Sequence, residues 1–432
     1  MTPRTSAVAE STARGVLLLT LVVLAFWSTW GRIADETTVG AGSAVVLAPP
    51  LGGLLTVSAL AWRRRPELPI HDRQSDAIVG TVVLLIALMS QWLLVPRYAG
   101  AYVLLHVDVM AAWAYLLGCC VFVFGLRRTG RFWATWLVLA VASPGAMRLV
   151  MYLLGGGPWA EAAVVATVVF AGPAVVIVRG VRRGRPSARV QWAGPAVTAR
   201  QAWRSVPLLL VVGVALWLAP LPGGAETRLG HGPSGPAGPG QNVPAGWSER
   251  SVQDFPWAPR MFGPSATLYR QLLRAEAPRA DWDQLMRPRQ AVVQTLTVSD
   301  PGLLDVYPLE MTYDLTNARV GDPEPVDLGH GITGRYRTVV DDDRLLTWSL
   351  LTFTWTRSSD HVQRVSVLTV DDHEYDAEFP ETVHVAGSTF GRMLSLLLRG
   401  SASVTASGPQ DKDLAMLTEL GTDLVEAQWQ TQ

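Results

Sequence analysis

The chain has 432 residues, of which 49% are hydrophobic and only 17% charged. Soluble globular chains carry about a quarter charged residues, so much of this one avoids water and a wholly soluble protein is excluded. The formal net charge of zero hides a split: up to Leu221 there are 19 Arg against 8 Asp and Glu, and the remainder holds 17 basic and 28 acidic residues. A basic, charge-poor half followed by an acidic half predicts a membrane part and a water-exposed part. Cys119 and Cys120 are adjacent and have no companions, which excludes a disulfide framework or a cysteine-rich zinc site.

Apolar runs long enough to cross a ~30 Å hydrocarbon core recur near Gly15–Trp30, Gly40–Trp62, Ala77–Val95, Ala101–Gly125, Phe132–Leu154, Trp159–Val178 and Val206–Leu221. Pro49, Pro50, Pro144 and Pro173 fall inside such runs and predict kinked or broken helices, which neighbouring helices tolerate. Alternate loops differ sharply in arginine. Arg4 and Arg14 precede the first run, Arg63, Arg64, Arg65 and Arg73 follow the second, and Arg127, Arg128 and Arg131 follow the fourth. Seven more, from Arg179 to Arg204, lie between the sixth and seventh. The other loops offer Arg32 and Arg97. The positive-inside rule therefore predicts a cytoplasmic N-terminus and an external C-terminal half. The first run is long and lacks a small-x-small site near its end, so it is expected to remain as an uncleaved span.

Residues 222–246, PGGAETRLGHGPSGPAGPGQNVPAG, read as a Gly/Pro-rich tether without apolar periodicity. Gly230, Gly232 and Gly235 spell a G-x-G-x-x-G, but Pro233, Pro236 and Pro239 forbid the helix that a dinucleotide fingerprint requires. Beyond the tether, residues 247–432 have the size of one domain. Ser265–Ala277 and Ser388–Gly400 are expected to be helices, as is Asp411–Trp429. RQAVVQTLTV, LLDVYPLEMTY, GRYRTVV, RLLTWSLLTFTW and VQRVSVLTV are expected strands. Strands in series with helices gathered apart predict an α+β domain with a mainly antiparallel sheet. The whole expectation is an α-helical polytopic bundle of seven spans (1–221), a linker (222–246) and an extracytoplasmic α+β domain (247–432).

Charged groups inside a bilayer mark functional sites by default. His106, Asp108, Arg148 and Glu161 lie within the expected spans, and a rise of ~1.5 Å per residue puts all of them in the outer half. Gln91 shares that level. One reading is an outward polar pocket in which Arg148 binds a phosphate or carboxylate and His106, with Asp108 or Glu161, handles protons. The plainer reading is an Arg148–Glu161 pair and a hydrogen-bonded His106. Two residues apart on a regular helix, His106 and Asp108 stand about 200° apart, which disfavours a metal site. Cys119 and Cys120 are expected to be packing residues.

In the C-terminal half, Asp371, Asp372, His373, Glu374, Asp376 and Glu378 crowd one stretch. The central glycine and terminal glutamate of a calcium loop are missing, so a solvated acidic turn is expected. His330, between Gly329 and Gly331, has no serine or cysteine elbow and reads as a turn. Asp341, Asp342 and Asp343 read as a hairpin tip, and Trp348, Phe353 and Trp355 as core.

The layout is similar to that of exosortases, polytopic bacterial transpeptidases sometimes fused to an extracytoplasmic domain, and Arg148 in SPGAMRL is similar in placement to that family's arginine. The family's Cys-Ser-Gly motif has no counterpart, Cys119 and Cys120 lie at the cytoplasmic end of their helix, and no His follows Arg148 in the membrane half. No catalytic role is carried over. The sequence thus points to a multi-pass plasma-membrane protein of the bacterial cell envelope. It would contact membrane lipid and display a binding or assembly domain to an exported protein or envelope polymer. An enzyme acting at the outer leaflet and a transporter are the alternatives. No cofactor motif is present, and the acidic domain makes nucleic acid an unsuitable partner.

Overall fold

A computed structural model describes residues 3–38, 44–62, 73–99, 102–182, 199–222, 229–233, 238, 240–307, 312–313, 318–341, 345–358, 361–382 and 412–430. The chain divides into two compact units, one formed mainly by residues up to Gly223 and the other from Gly224 onward.

The first unit is helical. In chain order it contains α1 (Pro3–Ala25), α2 (Trp27–Thr38), α3 (Ala44–Trp62), α4 (Arg73–Met89) with a π-helical turn at Ser90–Leu94, and α5 (Val95–Arg97). There follow α6 (Tyr102–Leu105), α7 (Val107–Phe124), α8 (Leu126–Gly130), α9 (Trp133–Val141), α10 (Pro144–Leu153), α11 (Pro158–Arg182) and α12 (Ala199–Trp217). Two stretches, Arg73–Arg97 and Val107–Phe124, are each long and apolar enough to cross a membrane. Two more would qualify as bent pairs: α1 and α2 turn by 69°, and α9 and α10 by 76°. The described helices therefore supply two to four candidate spans; the seven expected spans are not confirmed. Within three of the expected runs the backbone breaks: at Phe26, at Ala142–Ser143 before Pro144, and at His106. Pro144 occupies the first turn of α10, whose N-cap Ser143 accepts a hydrogen bond from the Ala146 amide at 3.2 Å.

Polar contacts sort the helix ends into two groups. At one end, Arg14 Nη1 donates to the Val123 carbonyl at 2.8 Å, Arg128 Nη2 donates to the Leu60 carbonyl at 2.6 Å, and Asp76 Oδ1 accepts from the Leu126 amide at 2.8 Å. Arginine side chains thus satisfy carbonyls that the last turns of α3 and α7 leave open. The far end of α7, about 27 Å away for 18 residues, carries His106, which meets Glu36 near the end of α2. Between the ends lies an apolar core built on Leu18, Phe26, Leu60, Leu84, Tyr115, Phe124 and Leu139, with Cys119 and Cys120 fully buried in it. The two cysteines are packing residues.

The second unit is built on a sheet. Its strands are β1 (Gly230–His231), β2 (Trp247–Asp254), β3 (Thr267–Ala275), β4 (Gln290–Val298), β5 (Ala318–Val320), β6 (Glu324–Asp327), β7 (Thr333–Asp341), β8 (Leu346–Ser358) and β9 (His361–Val370). They run in the order β2-β3-β4-β9-β8-β7-β5, with β1 against β8 and β6 against β7. Every pairing is antiparallel except β1 with β8. Two short helices, α13 (Ala258–Phe262) and α14 (Gly302–Val306), interrupt the strands, and α15 (Leu414–Trp429) follows them. Met416, Leu417, Leu420, Leu424 and Val425 form the apolar stripe of α15, which packs on Leu351, Phe353, Trp355, Val365 and Val367 of one sheet face. The other face buries Val292, Tyr313, Trp348, Leu350 and Leu368. Central strands covered on both faces lose the alternation that marks a half-exposed strand.

The main correction concerns β3. Ser265–Ala277 is not a helix: Thr267–Ala275 is β3, paired with β2 and β4. Its leucines fall at helix-like spacing because Leu273 faces the α15 side while Leu268 packs in a separate cluster with Phe262 and Leu296. The expected strand at residues 303–313 is also wrong at its start, where Gly302–Val306 is helical. The strands β4, β7, β8 and β9 and the terminal helix lie where the sequence placed them. Described residues of the tether are held by the sheet. Gly230–His231 pairs with Trp355–Thr356, and Gln241 is buried, its amide donating to Gln271 Oε1 at 2.8 Å. Hydrogen bonds and not an apolar stripe fix this segment, so periodicity gave no signal. The expected helix at Ser388–Gly400, and Asp342 and Asp343, lie outside the described residues.

Candidate functional site

The helical unit contains a buried cluster of ionisable groups where α2, α6 and α7 meet. His106 separates α6 from α7 in a left-handed conformation (φ 43°, ψ 56°) that side chains other than glycine rarely adopt. Its amide still donates to the Tyr102 carbonyl at 2.8 Å, and its carbonyl accepts from the Val109 amide at 3.0 Å. The break displaces the ring from a regular helical position, and this overturns the expectation of a 200° separation. His106 Nδ1 lies 3.6 Å from Asp108 Oδ1, and Nε2 lies 3.0 Å from Glu36 Oε2. Tyr102 donates to Asp108 Oδ2 at 2.6 Å, and its ring stands 5.2 Å from the imidazole. Arg32 lies over the Tyr102 ring, 5.7 Å from its centroid, and donates to the Pro222 carbonyl at 2.5 Å.

His106 and Asp108 are completely buried, and Glu36 is 8% exposed. Neither imidazole nitrogen has a well-aligned hydrogen bond, so the three groups attract through charge and proximity more than through directed bonds. An imidazole held between two carboxylates in a dry interior can take up or pass on a proton, the chemistry of His and carboxylate relays in membrane proteins. It can equally serve as a clamp between α2 and the α6–α7 break. Among the described residues, no three His, Cys, Asp or Glu side chains are arranged to hold a metal ion.

Glu36 and Tyr102 were invisible to the sequence reading. Glu36 sits in IADETT beyond the first apolar run, where a carboxylate is unremarkable; the bend at Phe26 brings it back against α7. The remaining expected groups do not join the cluster through any direct bond. Arg148 is 7% exposed on α10, and its Nε and Nη2 are enclosed without a hydrogen-bond partner. Glu161 is half-buried at the start of α11. Gln91 is fully buried within the π-helical turn, and its Oε1 has no partner. Turns of this kind recur at functional positions.

The candidates of the second unit resolve into structure. His330 (φ 51°) forms the turn between β6 and β7, stacked on Trp429 at 4.3 Å with Nε2 2.8 Å from Glu426 Oε2. That contact holds the Glu426 carboxyl below its ordinary range. Two groups of the acidic stretch pair with neighbouring segments: Asp371 with Lys412, and Glu374 with Arg287. His373 lies 3.2 Å from Asp283. Gly230 and Gly232 pack closely. A Cβ at Gly230 would fall 2.2 Å from Ile332 Cδ1, so these glycines serve strand approach and no phosphate cradle. Comparison with protein-family models, curated proteins and solved structures gives no match.

Proposed function

We propose that this is a multi-pass plasma-membrane protein whose helical unit crosses the bilayer up to seven times, N-terminus inside, and holds the sheet domain outside the cell as a binding or assembly module of the bacterial envelope. One observation carries the reading. Arg14, Arg128 and Asp76 share one end of the helical unit with the ends of α3 and α7, while Glu36, His106 and Arg32 lie beyond the opposite end of α7. Among the described residues Arg14 and Arg128 thus share one end, which supports the orientation expected from the positive-inside rule. The groups nominated for catalysis favour binding over chemistry in this unit, because His106 is enclosed and engaged by Glu36 and Asp108. The partner would be an exported protein or an envelope polymer.

The test is protease treatment of intact, wall-stripped cells. Digestion beyond residue 247 with the helical unit retained supports the orientation; protection until lysis overturns it. Crosslinking from the sheet domain in cells then identifies what it holds. A second reading, an enzyme acting at the outer leaflet on an anionic lipid-linked or exported substrate, is favoured by the enclosed Nε and Nη2 of Arg148, which have no partner among the described residues. Arg148→Leu would then abolish function while leaving the protein inserted, and retained function would remove that reading.

A further inference from the structure

The sheet has one long open edge. It ends on one side with β5, which has three residues, and on the other with β2, which has eight and pairs only with β3 among the described residues. Residues 249–254 are all exposed, Val252 to 44%. The outward amides and carbonyls of such an edge are a template for another strand. The register of β2 with β3 shifts once, between Glu249 and Ser251, and then runs evenly from Ser251↔Leu272 to Asp254↔Tyr269.

Bulges and charged side chains commonly keep an edge from pairing indiscriminately, and β2 carries both. The signs and spacing of its charges give them a second effect. Arg250 and Asp254 stand two positions to either side of Val252, and neither enters an ion pair among the described residues. A strand of unrelated sequence leaves these charges unmatched. A second β2, laid antiparallel with Val252 opposite Val252, matches both: each Arg250 stands opposite the other copy's Asp254, and each Ser251 opposite the other copy's Gln253. Two pairs of opposite charge then flank an apolar contact on the twofold axis. A residue opposite its own copy presents the same backbone groups from both sides, so the hydrogen bonds match whichever way the Val252 amide points.

We propose that two copies of this chain join through their β2 edges, centred on Val252, into one continuous sheet. The contact is isologous, the form that closes a twofold dimer. The opposed stretch, residues 250–254 of each copy, is small. Confinement of both copies to one membrane surface raises their effective concentration and offsets that weakness; in this respect the inference rests on the membrane reading above.

The experiment uses the full-length chain in proteoliposomes, where the native Cys119 and Cys120 are buried. Under mild oxidation Val252→Cys should give a disulfide-linked dimer, because opposed residues of an antiparallel pair stand about 4.5–5.5 Å apart at Cα, within disulfide reach. Ser248→Cys, about 27 Å from its own copy in this register, should not. In the Val252→Cys background, Arg250→Asp or Asp254→Arg should each cut the dimer yield about fivefold, as two cross-strand pairs turn from attraction to repulsion. Mixing those two chains should restore the yield, since every Arg then faces an Asp. The proposal is overturned if Val252→Cys crosslinks no better than Ser248→Cys, or if the mixture gives no more dimer than either chain alone. Should the cysteine variants melt below the unmodified chain, the dimer fraction of the unmodified chain against Arg250→Asp decides, read by single-molecule photobleaching in the same vesicles. Equal fractions there overturn the contact. Crosslinking needs two copies facing the same side of a vesicle, whichever side that is, so its failure is distinct from a failure of the proposed orientation.

Discussion

His106 Nε2 lies 3.0 Å from Glu36 Oε2, across 70 positions of chain, and joins the end of the bent α1–α2 pair to the break between α6 and α7. Two departures from regular helix, at Phe26 and at His106, are needed before these side chains can meet. Removing the carboxylate leaves an enclosed imidazole beside Asp108 with one attraction lost. Glu36→Leu is expected to destabilise the helical unit by about 3 kcal/mol, the cost of stripping one partner from a buried pair. Thermal unfolding followed by circular dichroism in nanodiscs checks it; an unchanged midpoint would show that the contact contributes nothing.

The backbone at His106 gives a second expectation, with an unusual sign. Alanine normally favours helix over glycine by about 1 kcal/mol. At φ 43° that order reverses, because the left-handed conformation costs a side-chain-bearing residue about 1–2 kcal/mol. Both His106→Ala and His106→Gly lose the carboxylate contacts, but the glycine variant should melt higher. The reverse order would mean that the α6–α7 break straightens once the imidazole is gone.

Gly421 of α15 faces the sheet so closely that a Cβ would come 2.6 Å from Leu351 Cδ2 and 3.1 Å from Leu328 Cδ2. Gly421→Val should cost about 2 kcal/mol by overpacking, in spite of the better intrinsic propensity of any residue over glycine. Urea denaturation monitored by the sheet's circular dichroism signal reads this. A stabilised variant would show that the two leucines swing aside freely.

Asp283 sits in the loop before β4 and gives a pH-dependent prediction. Burial works to raise its pKa, but hydrogen bonds from Arg287 Nε at 2.6 Å and the Leu285 amide at 2.7 Å, with His373 beside it, outweigh burial and hold it at about 2 against an ordinary 3.8. A carboxyl depressed on folding contributes stability that is present above the unfolded value and lost as pH falls through the folded one. Asp283→Asn should therefore be less stable than wild type at neutral pH. The gap should close as pH drops from about 4 towards about 2. Urea midpoints across that range test it, and a gap constant with pH would rule it out.

Arg289 and Asp413 make a buried pair at 2.5 Å, with Thr369 Oγ1 donating to the same carboxylate oxygen at 3.0 Å. Asp413→Ala leaves the guanidinium uncompensated and should cost about 3 kcal/mol. Arg289→Met combined with Asp413→Ala should cost less than the two single changes together, since neither charge is then stranded. A double-mutant cycle measures the coupling, and simple additivity would show that the pair does not act as a unit.

The sequence by itself determined the division of labour: apolar runs and arginine bias marked a helical half with candidate membrane spans, and β-branched, alternating segments located β4, β7, β8 and β9. These properties are local, carried by residues close in the chain, and need no fold to be read. Tertiary structure decided the rest. β3 is a strand because β2 and β4 pair with it on both sides, so its leucine spacing carries no helical meaning. The Glu36–His106–Asp108 cluster exists because two helices break where the apolar pattern runs on unbroken, and Arg357 is the extra residue of a bulge that shifts the register of its hairpin. Helix breaks, bulges and close backbone approaches are set by the balance of packing and hydrogen bonding between distant segments, which a composition or a period read along one segment does not contain.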